Sequence, residues 1–88
     1  MKEFDFVIGD PIGLHARPAG MLVKEAQRFE SECVMTVDRN GKSASLKKLL
    51  AVMGLGAKGG DRVKVVVQGR DEEAAAKAIE RWLKENMG

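Results

Sequence analysis

The chain has 88 residues, of which 44% are hydrophobic and 32% are charged. This composition is typical of a folded globule and excludes a disordered tail, so we expect one domain over residues 1–88. The formal net charge of +2 is too small to indicate nucleic-acid binding or direct insertion into a membrane. Because there is one cysteine, no apolar run of membrane-spanning length and no conventional secretory signal, we expect a cytoplasmic protein.

The first third of the chain changes from a strand pattern to a helix pattern. Residues 3–8 alternate and predict a half-buried strand with Phe4, Phe6 and Ile8 on one face. A loop rich in glycine and proline follows over residues 9–13. Apolar residues then take a helical spacing from Ala16 to about Phe29. The predicted buried stripe of this helix is Ala19, Leu22, Val23 and Ala26.

The middle of the chain predicts a hairpin and a short helix. Residues 33–37 alternate, which directs Cys33 into the core. The dipeptide Asn40-Gly41 favours a type I′ turn into a third strand, "KSAS" at residues 42–45. A second helix is predicted from about Leu46 to Met53, with Ser45 as its N-cap.

The last third predicts one more strand and one more helix. Residues 62–67 form the strand, and Asp71 is the expected cap of the helix. The apolar stripe of that helix is Ala75, Ala78, Ile79 and Trp82, with Leu83 beside it. The order βαββαβα predicts an α+β two-layer sandwich, in which a four-stranded, largely antiparallel sheet carries the helices on one face.

The only histidine, His15, stands where the first loop is predicted to enter the first helix. Such a residue is often merely a surface or structural histidine. Here, however, the first amides of the helix, those of Ala16 and Arg17, would lack helical partners and point toward the ring. These amides and the helix dipole form a site for an anion, and the Arg17 guanidinium adds a cation suited to phosphate oxygens. Positive potential favours the neutral, nucleophilic ring and would then stabilise a phosphoryl group attached to it.

Other chemistries have little support in the sequence. One histidine and one inward-facing cysteine do not make a metal site. No histidine–nucleophile–acid arrangement suggests acyl transfer.

Two motifs carry a resemblance to a known family. "GLHARPAG" at residues 13–20 and "NGKSASLKKLL.VMGLGA" at residues 40–57, in which Ala51 is skipped, closely resemble HPr, the histidine-containing phosphocarrier family of the bacterial phosphoenolpyruvate-dependent sugar phosphotransferase system. The resemblance implies an open-faced β-sandwich in which His15 receives a phosphoryl group on Nδ1 from enzyme I. The group then passes to enzyme II A-type domains, and Arg17 matches the phosphate-stabilising arginine of the family. It implies a monomeric, stoichiometric carrier that turns over nothing alone and uses no cofactor and no metal.

Partner binding is expected on the second helix. Four apolar residues lie there at helical spacing: Leu46, Leu49, Leu50 and Met53. This is more than one buried stripe of a two-turn helix requires, and by position Leu49, Leu50 and Met53 match the docking patch of the family. Whether Leu46 and Met53 belong to the core stays open at this point. Positive charge to meet acidic partner surfaces would come from Arg17, Lys24 and Lys48.

The chain departs from the family pattern at three places. Lys48 stands where many Gram-positive relatives carry a serine phosphorylated by an ATP-dependent kinase, so we expect no such switch here. Ile12 occupies a position that is commonly small and polar in the family, so we expect one hydrogen bond near the phosphoryl group to be missing here. Two extra residues fall around residues 37–40, in a hairpin expected to lie far from the chemistry.

The sequence is also compatible with two alternative functions. "GAKG" at residues 56–59 fits the GXXG loop of KH-type RNA-binding modules, although it does not lie between two predicted helices. The nearer alternative is a paralogue that serves a nitrogen-regulatory branch, or that binds transcriptional or metabolic regulators.

Overall fold

A computed structural model describes residues 1–88. The strands are β1 (Lys2–Val7), β2 (Glu32–Val37), β3 (Ser43–Ser45) and β4 (Arg62–Gln68), and the helices are α1 (Ala16–Gln27), α2 (Leu49–Met53) and α3 (Glu72–Met87). The predicted order βαββαβα is therefore confirmed. None of the three helices combines the length and the hydropathy that a membrane span requires.

The four strands form one sheet in the order β1-β4-β2-β3, and every neighbouring pair is antiparallel. The central strand β4 alternates between buried and exposed residues, as expected for a sheet with one covered face. In register, Val65 of β4 lies between Phe4 of β1 and Met35 of β2. The α+β two-layer sandwich predicted from the element order is confirmed, and so is the open-faced sheet that the family resemblance implies.

The core lies between this face and the helices, and its composition follows the predicted periodicities closely. On α1 the buried residues are Ala19, Leu22, Val23 and Ala26, as predicted. On α3 the buried residues are Ala75, Ile79, Leu83 and Met87. They follow one another at intervals of four residues, so the buried stripe turns slowly around the helix and continues to its last residue. Ala78 and Trp82, predicted to lie in that stripe, are only partly buried because they stand at its flank. Phe4 and Phe6 also stay partly exposed, since β1 is an edge strand.

The second helix begins three residues later than predicted, and Ser45 is not its N-cap. The backbone N–H of Leu46 donates to the Cys33 carbonyl at 2.7 Å, so residue 46 still belongs to the sheet pairing and its side chain is fully buried. Ser45 ends β3, and its hydroxyl accepts a hydrogen bond from the Lys47 N–H at 3.2 Å. Lys48 takes the N-cap position in an extended conformation.

The turn between β2 and β3 is not the predicted type I′ turn. That turn needs positive φ at both central residues, whereas only Gly41, at φ 70°, has it here. The loop contains five residues, 38–42, and a hydrogen bond from the Gly41 N–H to the Val37 carbonyl at 2.8 Å closes it. The Asn40 side chain accepts from the Lys42 N–H within the hairpin and donates to the Leu55 carbonyl outside it.

Asp71 occupies the N-cap position of α3, but its carboxylate does not cap that helix. It accepts hydrogen bonds from the Ser31 hydroxyl and N–H at 2.5 and 2.9 Å and from the Glu30 N–H at 3.0 Å. These bonds, led by that of the Ser31 hydroxyl, hold the pKa of Asp71 below its usual range. Their contribution to stability is therefore present at neutral pH and is lost as the pH falls through that lowered pKa.

The loop that leads to His15 crosses the loop between α2 and β4 at close range. The Leu14 N–H donates to the Ala57 carbonyl at 3.0 Å, and Gly13 adopts φ 82° beside it. A Cβ atom on Gly13 would overlap the Ala57 carbonyl oxygen and lie 2.6 Å from the Lys58 Cα. The other end of this loop is held by α3, because the Gly9 N–H donates to the Met87 carbonyl at 2.7 Å.

Leu46 belongs to the core and Leu50 to the surface, so truncating each to alanine should affect stability differently. Leu46→Ala should lower the free energy of unfolding by about 2–5 kcal/mol, because the deletion leaves a cavity in a fully buried site. The matched change Leu50→Ala should alter it by less than about 0.5 kcal/mol, since that side chain is largely exposed. Urea denaturation measures both, and equal losses in the two variants would contradict this assignment.

The crossing at Gly13 makes a second prediction. Gly13→Ala should destabilise the protein by more than about 1 kcal/mol, because a side chain there meets backbone and strains a positive φ. Gly20→Ala is the control: it lies inside α1 with no atom near its Cβ position, and should stabilise by about 0.5–1 kcal/mol. The midpoint temperatures of thermal unfolding of the two variants should shift in opposite directions from that of the unsubstituted chain. A Gly13→Ala protein as stable as the unsubstituted chain would refute the close crossing.

Candidate functional site

His15 is fixed through its backbone and free in its side chain. It occupies the N-cap position of α1 with φ −85° and ψ −174°, an extended conformation. Its N–H donates to the Gly13 carbonyl and its own carbonyl accepts from the Ala19 N–H, each at 2.9 Å. The imidazole makes no capping hydrogen bond, and the residue is exposed. The ring is therefore available to a partner without any rearrangement of the main chain.

The two backbone N–H groups that follow His15 in the chain have no acceptor. An α-helix leaves the N–H groups of its first turn without helical partners. In α1, Pro18 has no N–H and the Ala19 N–H is bonded to His15, which leaves only those of Ala16 and Arg17. The first turn carries no acidic side chain to neutralise this positive end. The start of α1 therefore offers two adjacent donors and the positive pole of the helix dipole to an anion.

The charged side chains nearest to His15 in the sequence do not neutralise this positive end. Arg17 is exposed and takes part in no salt bridge or hydrogen bond. Lys24 follows it by seven residues, which places both on one face of α1. The nearest acid in the chain, Asp10, uses its carboxylate within the loop, where Oδ1 accepts from the Ile12 N–H at 2.9 Å.

The apolar residues of α2 divide between core and surface. Leu46 is fully buried ahead of the helix, which settles the alternative left open for it. Leu50 is 83% exposed, and Leu49 and Met53 are each 41% exposed. The exposed helix α2 lies beside α1, and the Gln27 side chain donates to the Lys47 carbonyl between them at 3.1 Å. Lys48, exposed at the N-cap position, adds a positive charge at the start of α2.

On α1 and in the loop before it, two further exposed apolar residues were not identified from the sequence as surface candidates. Ile12 is 69% exposed in the loop three residues before His15, and Met21 is 47% exposed on α1. Met21 follows Arg17 by four residues and so shares its face, a signal already present in the helical spacing. We call Ile12, Met21, Leu49, Leu50 and Met53 the apolar surface set.

The remaining reactive groups do not form another site. No three histidine, cysteine, aspartate or glutamate side chains lie close enough to hold a metal ion. Cys33 is fully buried, and this burial raises the pKa of its thiol. The "GAKG" stretch lies between α2 and β4 and not between two helices, as a KH domain requires. Its Gly59 instead packs against the His15 loop, where a Cβ atom would lie 2.7 Å from the Pro11 Cα.

Comparisons with family models and with known proteins point to the same family. A family model described as "PTS HPr component phosphorylation site" matches residues 2–85. The phosphocarrier protein HPr of Mycoplasma genitalium is 41% identical over 86 residues, covering 98% of this chain and 97% of the relative. The multiphosphoryl transfer protein of Salmonella typhimurium is also 41% identical over 85 residues, covering 96% of this chain but 23% of that longer protein.

The fold agrees with the sequence comparison. The solved structure of a histidine-containing phosphocarrier protein of mycoplasma is similar, with a TM-score of 0.90 and 34% sequence identity. The similarity covers 96% of this chain and 93% of that one. The chain therefore belongs to the HPr family, the phosphocarrier proteins of the phosphotransferase system.

Proposed function

We propose that His15 is the residue that carries the phosphoryl group, on Nδ1, and that the protein acts as a stoichiometric carrier in a relay. The observation that supports this most strongly is an exposed histidine at the N-cap position of α1, followed by two residues whose N–H groups have no acceptor. Ala16 and Arg17 supply those groups. An anion attached to the ring gains hydrogen bonds there that the free protein does not make.

The transfer needs no oxidant, metal or cofactor. The lone pair of His15 Nδ1 attacks the phosphorus of the phosphohistidine on enzyme I. The nitrogen–phosphorus bond of the donor breaks as the new one forms, and the donor imidazole leaves with the bonding electrons and takes up a proton. The His15 ring releases its Nε2 proton in the same exchange. The phosphoryl oxygens on His15 then accept from the N–H groups of Ala16 and Arg17 and from the Arg17 guanidinium. Transfer to the next protein follows the same steps in reverse.

The exposed position of His15 favours protein partners over small-molecule substrates. The surface clefts lie along α1 and α3, and His15 lines none of them. A free metabolite would find little to enclose it here, because small-molecule sites are concave. A partner protein therefore supplies the remaining residues of the active site. Enzyme I and the enzyme II A-type domains are the proposed partners.

The apolar surface set is the proposed docking surface for these partners. Methionine adapts to several partners because its side chain repacks easily, and both Met21 and Met53 are exposed. Arg17, Lys24 and Lys48 have positive charges that would speed encounter with acidic partner surfaces. The reduced, buried Cys33 suits a relay that works in the cytoplasm.

Phosphorylation by enzyme I and phosphoenolpyruvate tests the assignment of His15. The unsubstituted protein should acquire an acid-labile, alkali-stable phosphoryl group, and His15→Ala should acquire none. Arg17→Ala should be phosphorylated about 10–100-fold more slowly, because charge-assisted hydrogen bonds to the phosphoryl oxygens are lost. Intact-mass spectrometry after rapid quenching measures the rates.

The matched control is Arg28→Ala, which removes an exposed arginine from the far end of α1. Its rate should equal that of the unsubstituted protein. A phosphoryl group that persists in His15→Ala, or equal rates in the two arginine variants, would contradict the proposed roles.

Lys48 makes a separate prediction about regulation. Incubation with ATP and the serine kinase that acts on Gram-positive relatives should leave the chain unmodified, because a lysine stands at the N-cap position before Leu49. Lys48→Ser should become a substrate, which shows that the kinase is active in the assay. Peptide mass spectrometry locates any phosphate, and a phosphoserine at Ser43 or Ser45 of the unsubstituted chain would refute the prediction.

A further inference from the structure

We propose that Arg39 and Asn40, in the hairpin between β2 and β3, are positioning residues for His15. They hold the loop between α2 and β4, and that loop in turn holds the His15 loop. This inference rests on the proposed role of His15 as the phosphoryl carrier. It gives a role to the β2–β3 hairpin, which the sequence analysis expected to lie far from the phosphoryl site.

Arg39 binds both ends of the α2–β4 loop. Its Nε donates to Asp61 Oδ1 at 3.0 Å and its Nη2 donates to Asp61 Oδ2 at 3.1 Å. The same Nη2 donates to the Gly56 carbonyl at 2.9 Å. A guanidinium makes such a two-point contact with a carboxylate in a fixed plane. Residues 56 and 61 are therefore held at a set separation by one side chain.

Asn40 adds a third connection beside the first two. Its Nδ2 donates to the Leu55 carbonyl at 2.9 Å, while its Oδ1 accepts from the Lys42 N–H at 2.9 Å. The amide thus spans from the hairpin to the residue before Gly56. Because both ends of the side chain are bonded, Asn40 cannot turn to solvent without losing a partner.

Asp61 also closes the loop on itself. Its Oδ2 accepts from the Lys58 N–H at 2.9 Å, and its own N–H donates to the Lys58 carbonyl at 3.0 Å. Residue 61 is 9% exposed. The hydrogen bond from Arg39 holds the pKa of this carboxyl below its usual range, so the pair is ionised at neutral pH.

The held loop contacts the His15 loop at its beginning and at its end. At the beginning, the Ile8 N–H donates to the Asp61 carbonyl at 2.9 Å, and the Gly60 N–H donates to the Ile8 carbonyl at 2.7 Å. At the end, the Leu14 N–H donates to the Ala57 carbonyl at 3.0 Å, one residue before His15. The separation that Arg39 imposes on the α2–β4 loop therefore sets the positions of the two ends of the loop that leads to His15.

Arg39→Ala in the full-length chain tests this role with two measurements. Amide hydrogen exchange by NMR should become about threefold to tenfold faster at Leu14 and Gly60, while the Ala75 amide in α3 keeps its rate. Phosphoryl transfer from enzyme I to His15 should slow by a similar factor. Arg39→Lys, which keeps one charged donor, should recover part of both losses.

The control Arg28→Ala breaks a different exposed ion pair, that of Arg28 with Glu25 at 2.7 Å, and should change neither measurement. Uniformly faster exchange at all slow amides would show an ordinary stabilising salt bridge and would overturn the proposal. Faster exchange at Leu14 with an unchanged transfer rate would overturn it as well. Failure of enzyme I to phosphorylate the unsubstituted chain would count against the proposed function alone, because exchange at Leu14 reports the loop contact without any transfer.

Discussion

Two backbone N–H groups without acceptors, those of Ala16 and Arg17, are the constraint on which the site depends. They remain free because Pro18 has no N–H and because Ala19 already donates to the His15 carbonyl. Any acidic residue in the first turn would compete for them, and α1 has none there. The helix therefore keeps its positive end open at the one place where the chain carries an imidazole, and an anion bound there is stabilised without a change in the fold.

The rest of the fold serves to keep this helix end in place and accessible. The α1 stripe that includes Leu22 and Ala26 is buried, so the helix cannot rotate without exposing core. The loop before it is held through Leu14 by the Ala57 carbonyl, at a crossing that only glycine at position 13 permits. Apolar side chains on α1, α2 and the loop stay exposed around this arrangement, as a protein-docking surface requires.

Local patterns in the sequence predicted most of this arrangement, and long-range contacts account for what they missed. The buried stripe of α1 and the start of that helix followed from spacing alone, because both depend on neighbouring residues. The start of α2 did not, since Leu46 pairs with Cys33 across the sheet and stays out of the helix. The turn at Asn40 was wrong for the same kind of reason: its side chain bonds the Leu55 carbonyl, 15 residues away. The contact between Arg39 and Asp61 joins residues that are 22 positions apart, and neither residue belongs to a local sequence pattern that predicts it.

Amide NMR spectra of the isotope-labelled protein, recorded before and after phosphorylation by enzyme I, test the central claim most directly. If the N–H groups of Ala16 and Arg17 donate to the phosphoryl oxygens, their protons should move downfield by more than those of any residue in α3, such as Ala75. The Ala19 amide, already bonded to His15, should shift less than either. Shifts at Ala16 and Arg17 no larger than those in α3, in a protein shown to be phosphorylated, would contradict the claim that this helix end receives the phosphate.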